Sequence, residues 1–286
     1  LNRGLGARQK GAIMACVGII GLGWVGRAMR SLFPQALICD PAYSESVPLA
    51  RLNQECEVVF VCVPTPNLIT GVLDTSIVEE VVADCTVPLI VVRSTVQPGT
   101  CDRLERTYGV NICMQPEYLG ETVAHPLLDE TQRKFLVLGG RPENRRRVIE
   151  LYQSVYNANI SIRQVTNLEA EVIKLSENRA IAWKVAQCQE LYDVCEAAGV
   201  DYYTIREAVY GDDPRFDLWF TFVYPDRRGC NSKCIPKDVL AWTAWAESVG
   251  YDPQITRALL AKNREWVRDS TEAYACDNRP HEERLS

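Results

Sequence analysis

Cys234 opens the run Cys234-Ile235-Pro236-Lys237-Asp238, with Lys233 immediately before it. Proline suits the first turn of a helix, where its missing N–H costs nothing, so Cys234 is expected at a helix N-terminus. A thiol placed there between two lysines is expected to be more acidic than a free one and to attack carbonyl carbon. Upstream, Lys174 and Asn178 stand four apart in a stretch without Gly or Pro, which puts both on one helix face. Such a pair can donate hydrogen bonds to an oxyanion, although a lone K-x-x-x-N equally describes a solvated face. The third constellation is Gly21-Leu22-Gly23-Trp24-Val25-Gly26, with Asp40 nineteen residues after the first glycine. Glycines at that spacing let a backbone turn tightly and approach a pyrophosphate, and the acid can bind ribose hydroxyls. An aspartate there favours NAD over NADP, whose 2′-phosphate would meet its charge.

The hydrophobic pattern says which elements must hold these groups. Strands are predicted at 16–20, 36–39, 58–63, 89–92, 111–114, 135–138 and 160–163, and helices at 27–32, 76–83 and 143–157. Strands alternating with helices imply an α/β fold, a Rossmann-like, mostly parallel, doubly wound sheet. Ligands sit at the carboxyl ends of such strands. Pro64–Pro66, then Ser94 and Thr95, then Pro116–Glu121 fall there. The segment 167–199 has Val172, Leu175, Ile181, Val185, Leu191 and Val194 at helical spacing, Asn167 where an N-cap belongs and Gly199 as a stop. As one helix it would be on the order of 50 Å long, a length that links two lobes or forms a subunit seam. Helices at 202–209, 240–249 and 253–269 complete a smaller all-α domain. The expected division is therefore 14–165 for the dinucleotide domain and 166–275 for the helical domain, with 1–13 and 276–286 as loose ends.

Composition narrows the function classes. The chain has 286 residues and a net charge of −6, with no run of Lys or Arg longer than the three arginines 145–147, which argues against nucleic acid or acidic membrane as partner. The longest apolar runs, 58–63 and 87–92, are of strand length and far too short to span a membrane. Residues 1–13 precede Met14, lack the apolar core of a signal peptide and read as an extraneous leader. Twelve cysteines are scattered through predicted strands and helices with no C-x-x-C pair, which suggests a reducing compartment, the cytoplasm. With two histidines, a histidine-based metal site or a Ser-His-Asp triad has little to work with.

Several segments together resemble the UDP-glucose/GDP-mannose dehydrogenases, NAD-dependent enzymes that oxidise a sugar-nucleotide alcohol to a carboxylate. They are VGIIGLGWVG, VFVCVPTP, Gly71-x-x-Asp74-x-Ser76, RSTVQPGT, QPEYLGE, the long helix with Lys174 and Asn178, and CIPKDV, in family order across residues 16–263. The resemblance implies NAD held by Gly21, Gly23, Trp24, Val25, Gly26, Asp40, Val63, Pro64, Thr65, Ser94, Thr95 and Glu121. It makes Cys234 the nucleophile that holds the aldehyde as a hemithioacetal and then a thioester, with Lys174 and Asn178 as oxyanion donors. Asp238, Glu117 and Thr95 would position and deprotonate water. Glu117, Tyr118, Leu119, Lys174, Asn178, Arg215 and Lys237 would contact a nucleotide sugar, UDP-glucose or GDP-mannose in type, of polysaccharide biosynthesis. A homodimer through 167–199 is implied, and no metal.

Three departures stand against this. The family carries a further α/β domain after the helical one, whereas this chain stops soon after Asn263. The segment between Asp40 and Val58 is short, leaving little room for crossover helices. The family's Gly-Gly before its cysteine is Asn231-Ser232 here, and Ser tolerates positive φ poorly. Two other readings stay open: a β-hydroxyacid dehydrogenase doing one alcohol–ketone step with Lys174, or an NAD-binding protein without catalysis. Blander roles also stand: Cys234 as one more buried cysteine, Cys230 and Cys234 sharing a metal, Glu117 and Glu121 as ordinary loop acids, Trp219, Phe220 and Tyr224 as core rather than base-stacking aromatics, His125 as a structural loop residue.

Overall fold

The computed structural model describes residues 16–120, 129–156 and 158–270. The described residues divide into two compact units, one built from those up to Pro64 with those in Ser76–Ser94 and Gly99–Ala170, the other from Thr65–Thr75, Thr95–Pro98 and those from Glu171 onward. The division thus falls one turn inside the long helix, and two short loops join the second unit.

In the first unit, β1 (Val17–Ile20), β2 (Leu37–Cys39), β3 (Val58–Val61), β4 (Ile90–Val92) and β5 (Ile112–Met114) form a parallel sheet in the order β2-β1-β3-β4-β5. Every residue of β1, β3, β4 and β5 is buried, so both faces of the sheet are covered, which is why these strands read as unbroken apolar runs. The register aligns Ile20 with Cys39 and Val61, Val61 with Val92, and Val92 with Met114. Gly21, Asp40, Cys62, Arg93 and Gln115 therefore leave the sheet along one edge. Two further strands, β6 (Phe135–Gly139) and β7 (Ser161–Val165), pair with each other in a separate parallel sheet rather than extending the first.

Helices α1 (Trp24–Leu32), α3 (Ser76–Asp84) and α5 (Pro142–Tyr152) lie near their predicted positions. Two others, α2 (Leu49–Glu55) and α4 (Thr100–Tyr108), are not anticipated by the sequence pattern. α2 buries a single residue, Leu52, whose methyl would lie 2.9 Å from a Cβ on Gly18, so a short crossover helix fits where none was expected. α4 is mostly polar and is bounded by Gly99 and Gly109, both at positive φ. The apolar core includes a stack of Phe33, Phe60 and Tyr152, with neighbouring ring centres 5.5 and 6.2 Å apart.

The second unit is helical: α6 (Asn167–Ala198) from its second turn, α7 (Tyr202–Arg206) running into a π turn at Glu207–Gly211, α8 (Ile235–Ser248) and α9 (Gln254–Arg268). The cap of α6 is Thr166, not Asn167. Thr166 Oγ1 accepts the Glu169 N–H and Glu169 accepts the Thr166 N–H, a reciprocal capping box. Asn167 instead lies buried, its Oδ1 accepting the Met114 N–H at 2.9 Å and its Nδ2 donating to Ile112 O at 3.3 Å, so its amide acts as one more strand residue against β5. Gly199 closes α6 at φ 69, with the Val200 N–H reaching back to Cys195 O. Lys174, Asn178 and Ala182, at i, i+4 and i+8, are all buried, whereas Val194 is exposed. The buried stripe therefore runs through the polar pair and not through every apolar residue of the pattern.

Candidate active site

The glycine turn follows β1. Gly21 has φ 88, and a Cβ there would lie 2.6 Å from Cys62 O; a Cβ on Gly26 would lie 1.9 Å from Gly21 O. Both glycines are required by close backbone approach. Gly23 is different: a Cβ there would meet nothing within 4 Å, and the residue caps α1 without a side-chain bond. An open, exposed glycine at a helix N-terminus, where no cap side chain stands in the way, is the surface on which a pyrophosphate can sit. Asp40 ends β2 beside it, its carboxylate accepting the Leu22 N–H at 2.6 Å and the Ala42 N–H at 2.7 Å. A carboxylate has about four acceptor sites, so room for a ribose diol remains. These residues fit NAD. Trp24 and Val25 form the first turn of α1; Val63 and Pro64 follow β3, and Ser94 Oγ donates to Val63 O at 2.7 Å.

The cysteine site lies in the second unit. Cys234 is the N-cap residue of α8, half-buried, with Pro236 in the first turn. In the same first turn Asp238 is buried; its Oδ2 accepts from Asn178 Nδ2 at 2.6 Å and its Oδ1 pairs with Lys237 Nζ at 2.7 Å. Lys174, buried one turn before Asn178, shares that face of α6. Thus Asn178, Asp238 and Lys237 converge at the helix end that Cys234 caps. The two loops of this unit brace α8: Asn67 Nδ2 donates to Lys237 O at 3.2 Å and Gln97 Nε2 to Ala241 O at 3.0 Å. Thr65 Oγ1 donates to Thr95 O at 2.6 Å, tying the loops to each other. Thr65 and Thr95, expected with the dinucleotide domain, belong to this second unit.

Cys230, like Cys234, is half-buried. It packs beside Ala182, Val239 and Leu259, and burial pushes its thiol up to about 12. Burial likewise pushes the Cys62 and Cys113 thiols up to about 12. Among the described residues no cluster of three or more His, Cys, Asp or Glu side chains could hold a metal. Gly229 takes φ 74, while neither Asn231 nor Ser232 has positive φ, so the strain expected from the Gly-Gly replacement does not arise.

Glu117 lies in the first unit inside a buried quartet with Arg93, Arg133 and Glu130. Its Oε1 accepts from Arg133 and from the Tyr118 and Leu119 N–H groups, each at 2.6 Å, and its Oε2 accepts from Arg93. Burial alone would raise this carboxyl, but Arg93 and Arg133 outweigh it and hold it at about 2. Four fixed donors, three of them on Oε1, hold this carboxylate, which suits an anchor for the 117–119 turn rather than a group that takes up a proton. Arg93, Arg133 and Glu130 were not picked out from the sequence; an arginine directly after a buried strand, as Arg93 is after β4, was the available signal. Arg215 is exposed, paired with Asp213 and set over the Phe216 ring, and no described contact joins it to the cysteine cluster. Glu121 and His125 lie outside the described residues. Trp219 and Tyr224 are exposed, not core.

Comparison with known proteins gives this arrangement its relatives. Residues 42–158 match the NAD binding domain and residues 168–265 the central domain of the UDP-glucose/GDP-mannose dehydrogenase family. The UDP-glucose 6-dehydrogenase of Pseudomonas aeruginosa is 31% identical over 235 residues, covering 75% of this chain and 50% of that protein. The chain thus spans about half the length of such relatives. A UDP-glucose dehydrogenase structure from Pyrobaculum islandicum superposes with TM-score 0.77 at 24% identity over 91% of this chain and 70% of that one. The 3-hydroxyisobutyrate dehydrogenase of Mycobacterium tuberculosis shares the fold, with TM-score 0.70 at 15% identity over 91% of this chain and 96% of that one. No helix among the described residues is long and apolar enough to cross a membrane. Two domain matches in family order, with a glycine turn in one unit and a cysteine-capped helix in the other, place the chain in the UDP-glucose/GDP-mannose dehydrogenase family.

Proposed function

We propose that this chain carries the NAD-binding and nucleophilic parts of a nucleotide-sugar 6-dehydrogenase, which oxidises the primary alcohol of a UDP- or GDP-linked sugar to a carboxylate. The observation that carries the reading is the bond between Asn178 and Asp238 at the helix end capped by Cys234. NAD, held at Gly21, Gly23, Gly26 and Asp40, is the two-electron oxidant for both oxidations. Lys174 and Asn178 donate hydrogen bonds to the alcohol oxygen as its proton passes to solvent water. The Cys234 sulfur then bonds to the aldehyde carbon while the carbonyl oxygen gains a proton, giving a thiohemiacetal. Loss of the second hydride from that carbon, and of the hydroxyl proton to solvent water, leaves a thioester. Water attacks it, the carbon–sulfur bond breaks, and acid and thiol are released. Asp238 accepts the water's proton, with Thr95 orienting the water. Glu117 keeps the 117–119 turn in place, so that Tyr118 and Leu119 present that segment to the sugar. Lys237 and Arg215 are assigned to the anionic substrate.

The test is stoichiometric. With UDP- and GDP-sugars as substrates, two NADH per acid formed supports this reading, and one NADH per product overturns it. One NADH would favour a single alcohol–ketone step by Lys174, the second reading, which the near full-length superposition on a 3-hydroxyisobutyrate dehydrogenase keeps in play. We further propose a homodimer through α6, where Val194 is left exposed, in the cytoplasm. A monomer in sizing experiments at micromolar concentration would refute the dimer.

A further inference from the structure

We propose that Asn263, on α9, is a positioning residue for Cys234; the inference rests on the nucleophilic role assigned above. The Asn263 side chain grips the main chain of Cys230 at both ends of its amide. Oδ1 accepts the Cys230 N–H at 2.6 Å and Nδ2 donates to Cys230 O at 2.9 Å. A carboxamide paired in this way replaces the two bonds a neighbouring strand would make, so it fixes the position and direction of that peptide together. Gly229 makes the approach possible: a Cβ there would lie 2.8 Å from Asn263 Oδ1, and the residue holds φ 74. The Cys230 side chain adds a second fixing point, packed against Val239 and Leu259 of α8 and α9.

Three residues separate this anchor from Cys234. Across them Ser232 Oγ accepts the Ile235 N–H at 3.2 Å, tying the loop to the first residue of α8. The thiol is thus carried on a short bridge with one end held by Asn263 and the other by the helix. The bonds described for Asn263 go to the Cys230 main chain and not to the residues assigned to chemistry; it sets where the bridge begins. Without it, α8 still has its Pro236 start and its Asp238–Asn178 bond, and the loop alone gains freedom.

The experiment uses the full chain with Asn263→Leu, which removes both bonds at similar volume, and Asn263→Asp, which keeps the acceptor and loses the donor. Amide hydrogen exchange should speed up by about tenfold or more in the peptide covering Cys230 to Ile235 in N263L, and less in N263D, while the 17–61 sheet peptides stay unchanged. In turnover, N263L should release aldehyde, caught by a carbonyl trap, so that NADH per acid rises above the wild-type value while the first oxidation is retained. Loss of folded protein would lower all rates together without moving that ratio. Unchanged exchange from Cys230 to Ile235, or an increase spread evenly over α8 and α9, overturns the proposal. If N263L does not fold, N263D is read against the same two outcomes. A wild-type ratio of one NADH per product with the loop still loosened in N263L would leave the clamp standing and remove the covalent role of Cys234.

Discussion

Glu117 and Asp238 are both buried carboxylates with cationic neighbours, yet they are held in opposite ways. Glu117 meets two guanidiniums and two backbone N–H groups, four rigid donors in all. Asp238 meets one amide and one ammonium, leaving about two of its four acceptor sites for something else. It also sits in the first turn of α8, where the helix dipole favours a negative charge. The difference teaches that burial and a nearby cation do not by themselves mark a catalytic acid. The number of fixed donors already on the carboxylate is the better guide, and by that measure Asp238 is the candidate for chemistry and Glu117 the candidate for architecture.

The sharpest test of the Asp238 side starts with its neighbour. Cys234→Ser should abolish acid formation while NAD affinity stays at the wild-type value, measured by product analysis and cofactor titration; unchanged acid production would remove the reason to compare the carboxylates at all. Asp238→Asn comes next. It keeps a partner for Asn178 but cannot accept a proton, so kcat should fall by about 10²–10⁴-fold with substrate affinity little altered. A loss of only a few-fold would put Asp238 on the architectural side with Glu117.

A third carboxylate, Asp40, lies between the two. It accepts two backbone N–H groups, one from the glycine turn itself, and keeps open sites. Asp40→Ala should weaken NAD by roughly ten- to a hundredfold, the scale of a hydrogen bond to a charged group, in a cofactor titration that does not need turnover. Equal affinity in variant and wild type would mean that Asp40 only braces the turn.

Much of this was legible in the sequence, for stated reasons. Parallel strands buried on both faces show as apolar runs, so β1 and β3 to β5 were visible, as was the glycine turn, whose spacing reflects hard steric limits at Gly21 and Gly26. The cysteine at the head of α8 could be read because Pro236 announces a helix start. What could not be read was pairing over distance. Asn167 looks like a cap by position, but its amide is drawn to the edge of β5 while Thr166 does the capping. Thr65 and Thr95 follow sheet strands in sequence and yet join the helical unit. Arg133, which with Arg93 fixes the state of Glu117, comes from 16 residues away in the chain, and no local pattern joins the two.

Glu117→Gln should have the smallest effect on chemistry and a large one on stability, and pH separates the two. The folded carboxyl lies at about 2 against an ordinary 4.5, because Arg93 and Arg133 favour its charged form over the cost of burial. A folded value below the unfolded one means that the unfolded chain binds the proton more readily. The stabilisation is therefore complete above about pH 4.5 and is lost as pH falls towards 2. Glutamine cannot carry the charge, and two guanidiniums would face a neutral amide; the cost is on the order of 3–5 kcal/mol in denaturant unfolding near pH 7. The acid limb of the stability curve should be correspondingly flatter in the variant, since the titrating group is gone. For protein still folded, kcat should stay within about tenfold of wild type, below the loss expected for a missing proton acceptor. The opposite pattern, with kcat falling as in Asp238→Asn and the acid limb unmoved, would exchange the roles of the two carboxylates.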